Sequence, residues 1–428
     1  MSWPNIGIQV VVSRIKEDSK EHRTDAEVMI RSIGSTVGHL KGGRLNLTSP
    51  TQRGTFVSKL EKKVPDIDWD QIMEQVYMAV TEKRRGSSEP VEISGDLLPP
   101  EGALERWLVR PIIETGNPTI IYGPGGVGKS MFCLYLAILA SEGISSQGLQ
   151  VENPCKVMYL DWETNFEEIR ERIRIIRNGL DLPISVPEQM MWYMRMEYGI
   201  EANMEKLKEK IESDNIELLV LDSLGYAASG ELESSKSARD LFSNIRDLGV
   251  TTLCIHHLSK DSMSQGIGSV NRPFGSVYFE NAARHSFELK KDQAEDSNFL
   301  EVAMFDRKAN NVKKIAPIGW QFTFEAREDN EDIMDSVTFT RRDVMDTKLR
   351  DAMNIKSRIV RLLQEEGALD RQVIADRLST PEKPVSANHV SKVLSENKDR
   401  FSNTNGLWDN INLGGDIGTS KRMNYGDI

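Results

Sequence analysis

Cysteine is scarce in this chain: three residues in 428, Cys133, Cys155 and Cys254, each standing alone inside an apolar run. That spacing supplies neither a disulfide framework nor a zinc ligand set, so all three are expected as small core residues of a reduced compartment. Long apolar runs are missing as well. The longest, around Phe132 to Ala140, falls well short of the roughly 20 residues that cross a bilayer. No basic-then-apolar segment opens the chain, so no membrane partner is expected and a cytoplasmic location is. Positive charge is in deficit: 54 Lys and Arg against 65 Asp and Glu leave a net charge of −11. The overall field repels phosphates, and any contact with nucleic acid must be a local basic patch. What is present, 39% hydrophobic and 28% charged residues, is ample for two or three domains with buried cores.

Residues 123–130 break this plain background. Gly123, Pro124, Gly125, Gly126, Val127, Gly128, Lys129 and Ser130 complete the pattern G-x-x-x-x-G-K-S, preceded by the apolar run 118–122 and followed by the apolar stretch opening at Met131. Strand, loop and helix thus come in the order a phosphate loop requires. Its glycines let consecutive backbone N–H groups turn toward an anion, and the helix N-terminus adds partial positive charge. Lys129 can then reach the β and γ phosphates and Ser130 can ligate Mg²⁺, so ATP with Mg²⁺ is the expected ligand.

Three regions flank or contain this loop. In the first, residues 1–90, Ile8, Val10 and Val12 alternate in strand fashion, as do Val28 with Ile30 and Leu45 with Leu47. Ser49-Pro50 should start a helix carrying Phe56 and Leu60, and Asp68 one carrying Trp69, Ile72, Val76 and Val80. This reads as a small α+β domain for assembly or partner contact, followed by a linker over 91–104. From 105 to 345 strands alternate with helical patterns, which predicts an α/β fold with a mostly parallel sheet. Strands are expected at 156–161, 192–196, 216–222 and 251–256. Four more, at 285–290, 300–305, 320–325 and 337–340, lie close together and predict an antiparallel extension.

Chemistry in such sheets sits at the carboxyl ends of strands. Asp222 ends one and has the form of the second magnesium motif, although a strand-ending Asp also serves as a plain loop cap. A second strand ends in Asp161-Trp162-Glu163-Thr164. Glu163 is the candidate base for an attacking water, against the alternative of capping the helix that begins near Phe166; Asp161 divides evenly between structure and catalysis. A third ends at His256-His257, placed where a γ-phosphate sensor would sit, without the Cys or carboxylate spacing of a metal site. Beyond it, a polar, Gly-rich loop over 261–275, with Lys260 ahead of it and Arg272 within it, would suit a nucleotide-gated DNA contact.

Taken in order, the phosphate loop, Leu160-Asp-Trp-Glu163, Leu221-Asp-Ser-Leu-Gly225, His256-His-Leu-Ser-Lys260, Phe274-Gly-Ser276 and Asn281-Ala-Ala-Arg284 resemble the RepA-like branch of RecA-fold ATPases, related to the DnaB hexameric helicases. The likeness covers about residues 105–325. It implies a RecA-like P-loop core in which Lys129 and Glu163 are catalytic, Asp222 is the magnesium-motif residue and His257 a sensor. It also implies that Arg284 is a finger inserted into the neighbouring subunit's site of a hexamer, against the plain alternative of a helix-end Arg paired with a surface acid. Lys308, in Asp306-Arg-Lys-Ala-Asn310, would be a further trans contact. Neither end of the chain belongs to the minimal ATPase, so a helicase assignment does not simply transfer.

The segment 351–412 adds a separate signal. Ile355, Ile359, Leu362 and Leu363 share one helical face ended by Gly367, Asp370 can cap a helix with Val373, Ile374 and Leu378, and Ser386 one with Val390, Val393 and Leu394. A hairpin over 401–408 completes a pattern that resembles a winged helix. Its third helix would offer Asn388, His389, Ser391 and Lys392 to a major groove. With nine basic and nine acidic residues the segment could equally bind protein. A disordered tail is expected over 413–428. The combined expectation is an ATP-hydrolysing, ring-forming motor acting on single-stranded DNA in replication, with origin duplex DNA or replication proteins as further partners. The alternative is an ATP-switched loader or recombinase accessory factor that does not unwind.

Overall fold

The computed structural model describes residues 1–18, 23–33, 38–85, 107–258, 273–275, 277–294, 297–380 and 383–411. The expected linker 91–104 and tail 413–428, together with Lys260, Arg272 and most of the loop 261–275, lie outside the described residues. The chain divides into two compact units, Met1–Ala103 and Leu104–Ile428.

The first unit is an antiparallel meander of β1 (Ser2–Trp3), β2 (Ile8–Asp18), β3 (Arg23–Ser32) and β4 (His39–Asn46), followed by α1 (Pro50–Glu61) and α2 (Trp69–Arg85). Register sets one face apolar: Val10 pairs with Ile30, Val12 with Val28 and Ala26 with Leu45. Ser49 caps α1 by accepting the Gln52 amide, with Pro50 in the first turn, and the Asp68 carboxylate accepts the Gln71 amide at 2.9 Å to start α2. Trp69 is fully buried and donates its indole N–H to the Val64 carbonyl.

In the second unit, β5 (Trp107–Val109) and β6 (Ile113–Glu114) form a small ribbon ahead of the main sheet. That sheet has nine strands: β7 (Pro118–Gly123), β8 (Val157–Asp161), β9 (Met191–Arg195), β10 (Leu218–Asp222), β11 (Thr251–His257), β12 (His285–Asp292), β13 (Phe299–Ala309), β14 (Ile318–Arg327) and β15 (Asn330–Arg342). Their order is β15-β14-β13-β12-β7-β11-β10-β8-β9. The six strands from β12 to β9 run parallel, and β13 to β15 extend the sheet antiparallel.

The central strands are buried along nearly their whole length because both sheet faces are covered. One face packs α3 (Lys129–Glu142) and α4 (Phe166–Gly179) on Ile121, Val220, Ile255 and Phe287. The other packs α5 (Met204–Asp214), α6 (Leu224–Ala227), α7 (Ser235–Asp247) and α8 (Val277–Ala282) on Ile120, Met158, Leu221 and Cys254. Helix α3 is apolar nearly all round and is accordingly buried. All three cysteines are free and buried.

A three-helix module closes the second unit: α9 (Ile355–Glu366), α10 (Arg371–Leu378) and α11 (Ala387–Glu396), with β16 (Leu369–Asp370), β17 (Phe401–Thr404) and β18 (Leu407–Asn410) in the order β16-β18-β17. Asn354, Asp370 and Ser386 cap the three helices through their side chains. Ile359, Leu362, Ile374, Leu378, Val390 and Leu394 fill the core. Val373, expected on the inner face of its helix, is instead 40% exposed. Helix α10 is only two turns long and turns Ile374, Ala375 and Leu378 inward, leaving Val373 on the outer side. Among the described residues no helix is long and apolar enough to cross a membrane.

Candidate nucleotide site

The phosphate loop lies between fully buried β7 and the N-terminus of α3, as the strand-loop-helix order anticipates. Gly125 and Gly126 are exposed, Pro124, Gly128, Ser130 and Met131 half-buried, and Val127 is buried as the loop's anchor in the core. Gly128 caps α3 with φ +82°, and a Cβ there would lie 2.8 Å from the Phe322 ring, so conformation and space both require glycine. Lys129 is buried at the start of α3 and donates to the carbonyls of Gly123 at 3.0 Å and Pro124 at 2.9 Å. Burial holds its pKa below the usual lysine value, while Asp222 and Glu163 pull the other way.

The carboxylates sit on neighbouring strand ends, since Asp161 and Asp222 are in register on β8 and β10. Asp222 is buried, and its Oδ2 accepts the Tyr159 hydroxyl at 2.7 Å. Its Oδ1 is buried with no hydrogen-bond partner among the described residues. Burial pushes this carboxyl's pKa up, against the hydroxyls of Tyr159 and Ser130, which pull it down. An unsatisfied buried carboxylate oxygen beside the Ser130 hydroxyl is the hard oxygen set that Mg²⁺ takes, so these residues fit the ion. The peptide after Asp222 is cis.

Asp161 has a structural assignment. Its Oδ1 accepts the amides of Glu163 and Thr164, and its Oδ2 accepts the hydroxyls of Thr164 and Tyr193, which closes the turn after β8. That turn aims Glu163 across the strand ends. Its Oε1 accepts the Ser223 hydroxyl at 2.6 Å and faces His257 Nε2 at 3.1 Å. Helix α4 is capped by Asn165, which accepts the Glu168 amide, so Glu163 is not spent as its cap. The His257 hydrogen bond, with that of Ser223, holds the Glu163 carboxyl below the ordinary range despite partial burial.

His256 and His257 part company because successive residues of a strand point to opposite faces. His257 is half-buried on the Glu163 side. His256 is buried, stacks on Phe279 at 4.9 Å and places Nε2 2.8 Å from the Phe274 carbonyl. Burial lowers its pKa to about 4, so it is neutral at pH 7 and donates that hydrogen bond.

Arg284 and Lys308 stand apart from this cluster. The Arg284 amide donates to Pro118 at the start of β7, and β12 runs parallel to β7 from His285 opposite Thr119. The phosphate loop leaves the far end of the same strand, roughly 16 Å away at the usual rise per residue. Arg284 is exposed. Lys308 donates to the carbonyls of Glu280 at 3.0 Å and Asn281 at 2.7 Å, which caps the C-terminus of α8 within its own chain. Asn388 and Lys392 are exposed on α11 of the three-helix module, with Lys392 3.9 Å from Glu396. Sequence reasoning overlooked Ser223; a hydroxyl directly after the strand-ending Asp222 was the available signal.

Residues 87–263 match the AAA domain family. Over 133 residues the chain is 32% identical to DNA repair protein RAD51 homolog 2 of Arabidopsis thaliana, covering 28% of this chain and 33% of that protein. Over 129 residues it is 26% identical to the mouse (Mus musculus) protein of the same name, covering 28% and 35%. The chain thus spans about one third of the length of the curated relatives it matches. A KaiC-like protein of the hyperthermophilic archaeon Pyrococcus horikoshii OT3 aligns over 58% of this chain and 99% of its own, at 15% identity and a TM-score of 0.36. With its phosphate loop between β7 and α3, strand-end carboxylates and mostly parallel sheet, the chain carries an α/β core of the P-loop nucleotide-binding type.

Proposed function

We propose that this chain is an ATP-hydrolysing, ring-forming motor that acts on single-stranded DNA in replication, with helicase-like activity in the cytoplasm. The observation that carries the reading is the split arrangement. Lys129, Ser130, Glu163, Asp222 and His257 gather at the carboxyl ends of the parallel strands, while Arg284 stands exposed at their opposite ends. Arg284 cannot reach its own phosphate loop, so its service as an arginine finger requires a second copy. Lys308 could join it only after giving up its bonds to Glu280 and Asn281.

In the reaction, the phosphate-loop amides cradle the α and β phosphates and Lys129 reaches the β and γ phosphates. Mg²⁺ bound through Ser130 and Asp222 would supply charge neutralisation between them. With Oε1 engaged by Ser223 and His257, Glu163 offers Oε2 to a water. The water oxygen bonds to the γ phosphorus, its proton passes to Glu163, and the bond to the β-phosphate oxygen breaks to leave ADP and inorganic phosphate. His257 can exchange its carboxylate contact for the phosphate, and strand β11 carries that change toward Phe274 and the expected DNA loop, including Lys260 and Arg272.

The three helices and hairpin of the C-terminal module suit a winged helix, with Asn388, His389 and Lys392 of α11 facing origin duplex DNA or a replication partner. A second reading, an ATP-switched loader or recombinase accessory factor without unwinding, is favoured by the likeness to the two RAD51 homolog 2 DNA repair proteins. ATPase rate against protein concentration, with and without single-stranded DNA, decides between them when strand separation on a forked duplex is followed in the same samples. Cooperative, DNA-stimulated turnover with unwinding supports the motor. DNA-stimulated turnover without unwinding supports the switch, and indifference to DNA removes both.

A further inference from the structure

One cation at the phosphate loop has no place in this mechanism. Lys291, near the end of β12, reaches over the loop from outside and donates Nζ to the Gly126 carbonyl at 3.1 Å. Gly126 has φ +66°, and a Cβ there would sit 3.3 Å from that Nζ, so the glycine leaves the space the ammonium occupies. In a trans peptide the C=O and the following N–H point in opposite directions. Drawing the Gly126 carbonyl outward therefore turns the Val127 N–H inward, toward the position of the phosphates. The positive charge also polarises the same peptide unit, which strengthens that N–H as a donor.

We propose that Lys291 is a positioning residue of the nucleotide site, bracing the phosphate loop through the Gly126 carbonyl so that the Val127 amide is preset for the diphosphate that ATP and ADP share. This rests on the nucleotide-site reading and adds to it a residue from β12, the parallel strand that borders the antiparallel extension. The brace lies outside the loop, and loop amides cradle the α and β phosphates. Its loss therefore weakens ATP and ADP alike and leaves the chemical step intact.

The test is fluorescence titration of the full chain with labelled ATP and ADP, comparing wild type, Lys291→Met and Lys291→Arg, with Lys129→Ala as the control that abolishes phosphate binding. Lys291→Met is expected to weaken both nucleotides about tenfold with their ratio unchanged, to raise KM for ATP with kcat held within about twofold, and to be largely rescued by Lys291→Arg. Unchanged affinities in Lys291→Met would overturn the brace. So would a loss confined to ATP, which would mean a direct contact to the γ phosphate, or an Arg variant as weak as the Met variant. Failure of the wild type itself to bind either nucleotide would instead overturn the nucleotide-site reading beneath it.

Discussion

His256 makes acid stability a direct test of how strand β11 is built. The folded chain holds this imidazole neutral, with its pKa lowered to about 4 by burial, while the unfolded chain returns it to its usual value near 6.5. On acidification the unfolded state takes up a proton that the folded state refuses. Stability from this group is therefore complete above the unfolded pKa, declines as pH falls through 6.5 toward 4, and levels off below. The full difference of about 2.5 pKa units corresponds to roughly 3 kcal/mol, of which roughly 2 kcal/mol is lost between pH 7 and pH 5. The comparison that isolates it is urea unfolding of wild type and His256→Gln at both pH values. Gln keeps an N–H for the Phe274 carbonyl and binds no proton, and contributions from all other groups cancel in the difference. The wild type should lose roughly 2 kcal/mol more than the variant between pH 7 and pH 5. Carbon-13 NMR of labelled histidine, with the variant assigning the signal, should show one imidazole still neutral at pH 5. Equal acid losses in the two proteins, or titration of that signal near 6.5, would refute the argument.

Three further outcomes follow from the same geometry. Glu163→Gln should keep ATP binding and lose turnover by roughly 10²-fold or more, measured as phosphate release at saturating ATP; normal hydrolysis would remove Glu163 from the reaction. Arg284→Ala and Lys129→Ala, each inactive alone, should regain part of the ATPase rate when mixed, because one copy then supplies the loop and its neighbour the arginine; silence at every ratio would argue against service in trans. Gly128→Ala, forced into φ +82° and against Phe322, should cost about 1–3 kcal/mol in thermal unfolding and abolish nucleotide binding; an unperturbed variant would contradict the packing described for the loop.

Much of the parallel core was legible because its strands are buried on both faces and carry short apolar runs ending in a polar residue, as in Leu218 to Leu221 before Asp222 and Leu253 to Ile255 before His256. The last hairpin shows where that signal stops. The residues expected at 337–340 are the buried part of a strand running from Asn330 to Arg342, whose outer half keeps its hydrogen-bond ladder in solvent and so carries no apolar pattern. Within the site, Glu163 could be placed by its strand end. Its separation from the helix cap could not, because Asn165 and Glu163 are both plausible caps until the Asp161 turn decides which one faces the helix. Lys291 was hidden for a different reason. A lysine at the end of a strand reads as a solvated charge, and only the pairing of β12 beside β7 brings it over a loop 165 residues earlier in the chain.

The parallel pairing of β7 and β12 also constrains what assemblies can be fully active. If Arg284 serves in trans as proposed, each copy carries its receiving site at the end of β7 and its donor at the beginning of that strand. In a heterologous, head-to-tail assembly each copy would offer its arginine to the site of the next. In an open row of n copies one site always lacks its arginine, whereas closing the row completes them all. The turnover per subunit should then rise with the length of an open chain toward a limit that a closed ring reaches at once, and the shape of that rise reports the topology of the assembly without an image of it.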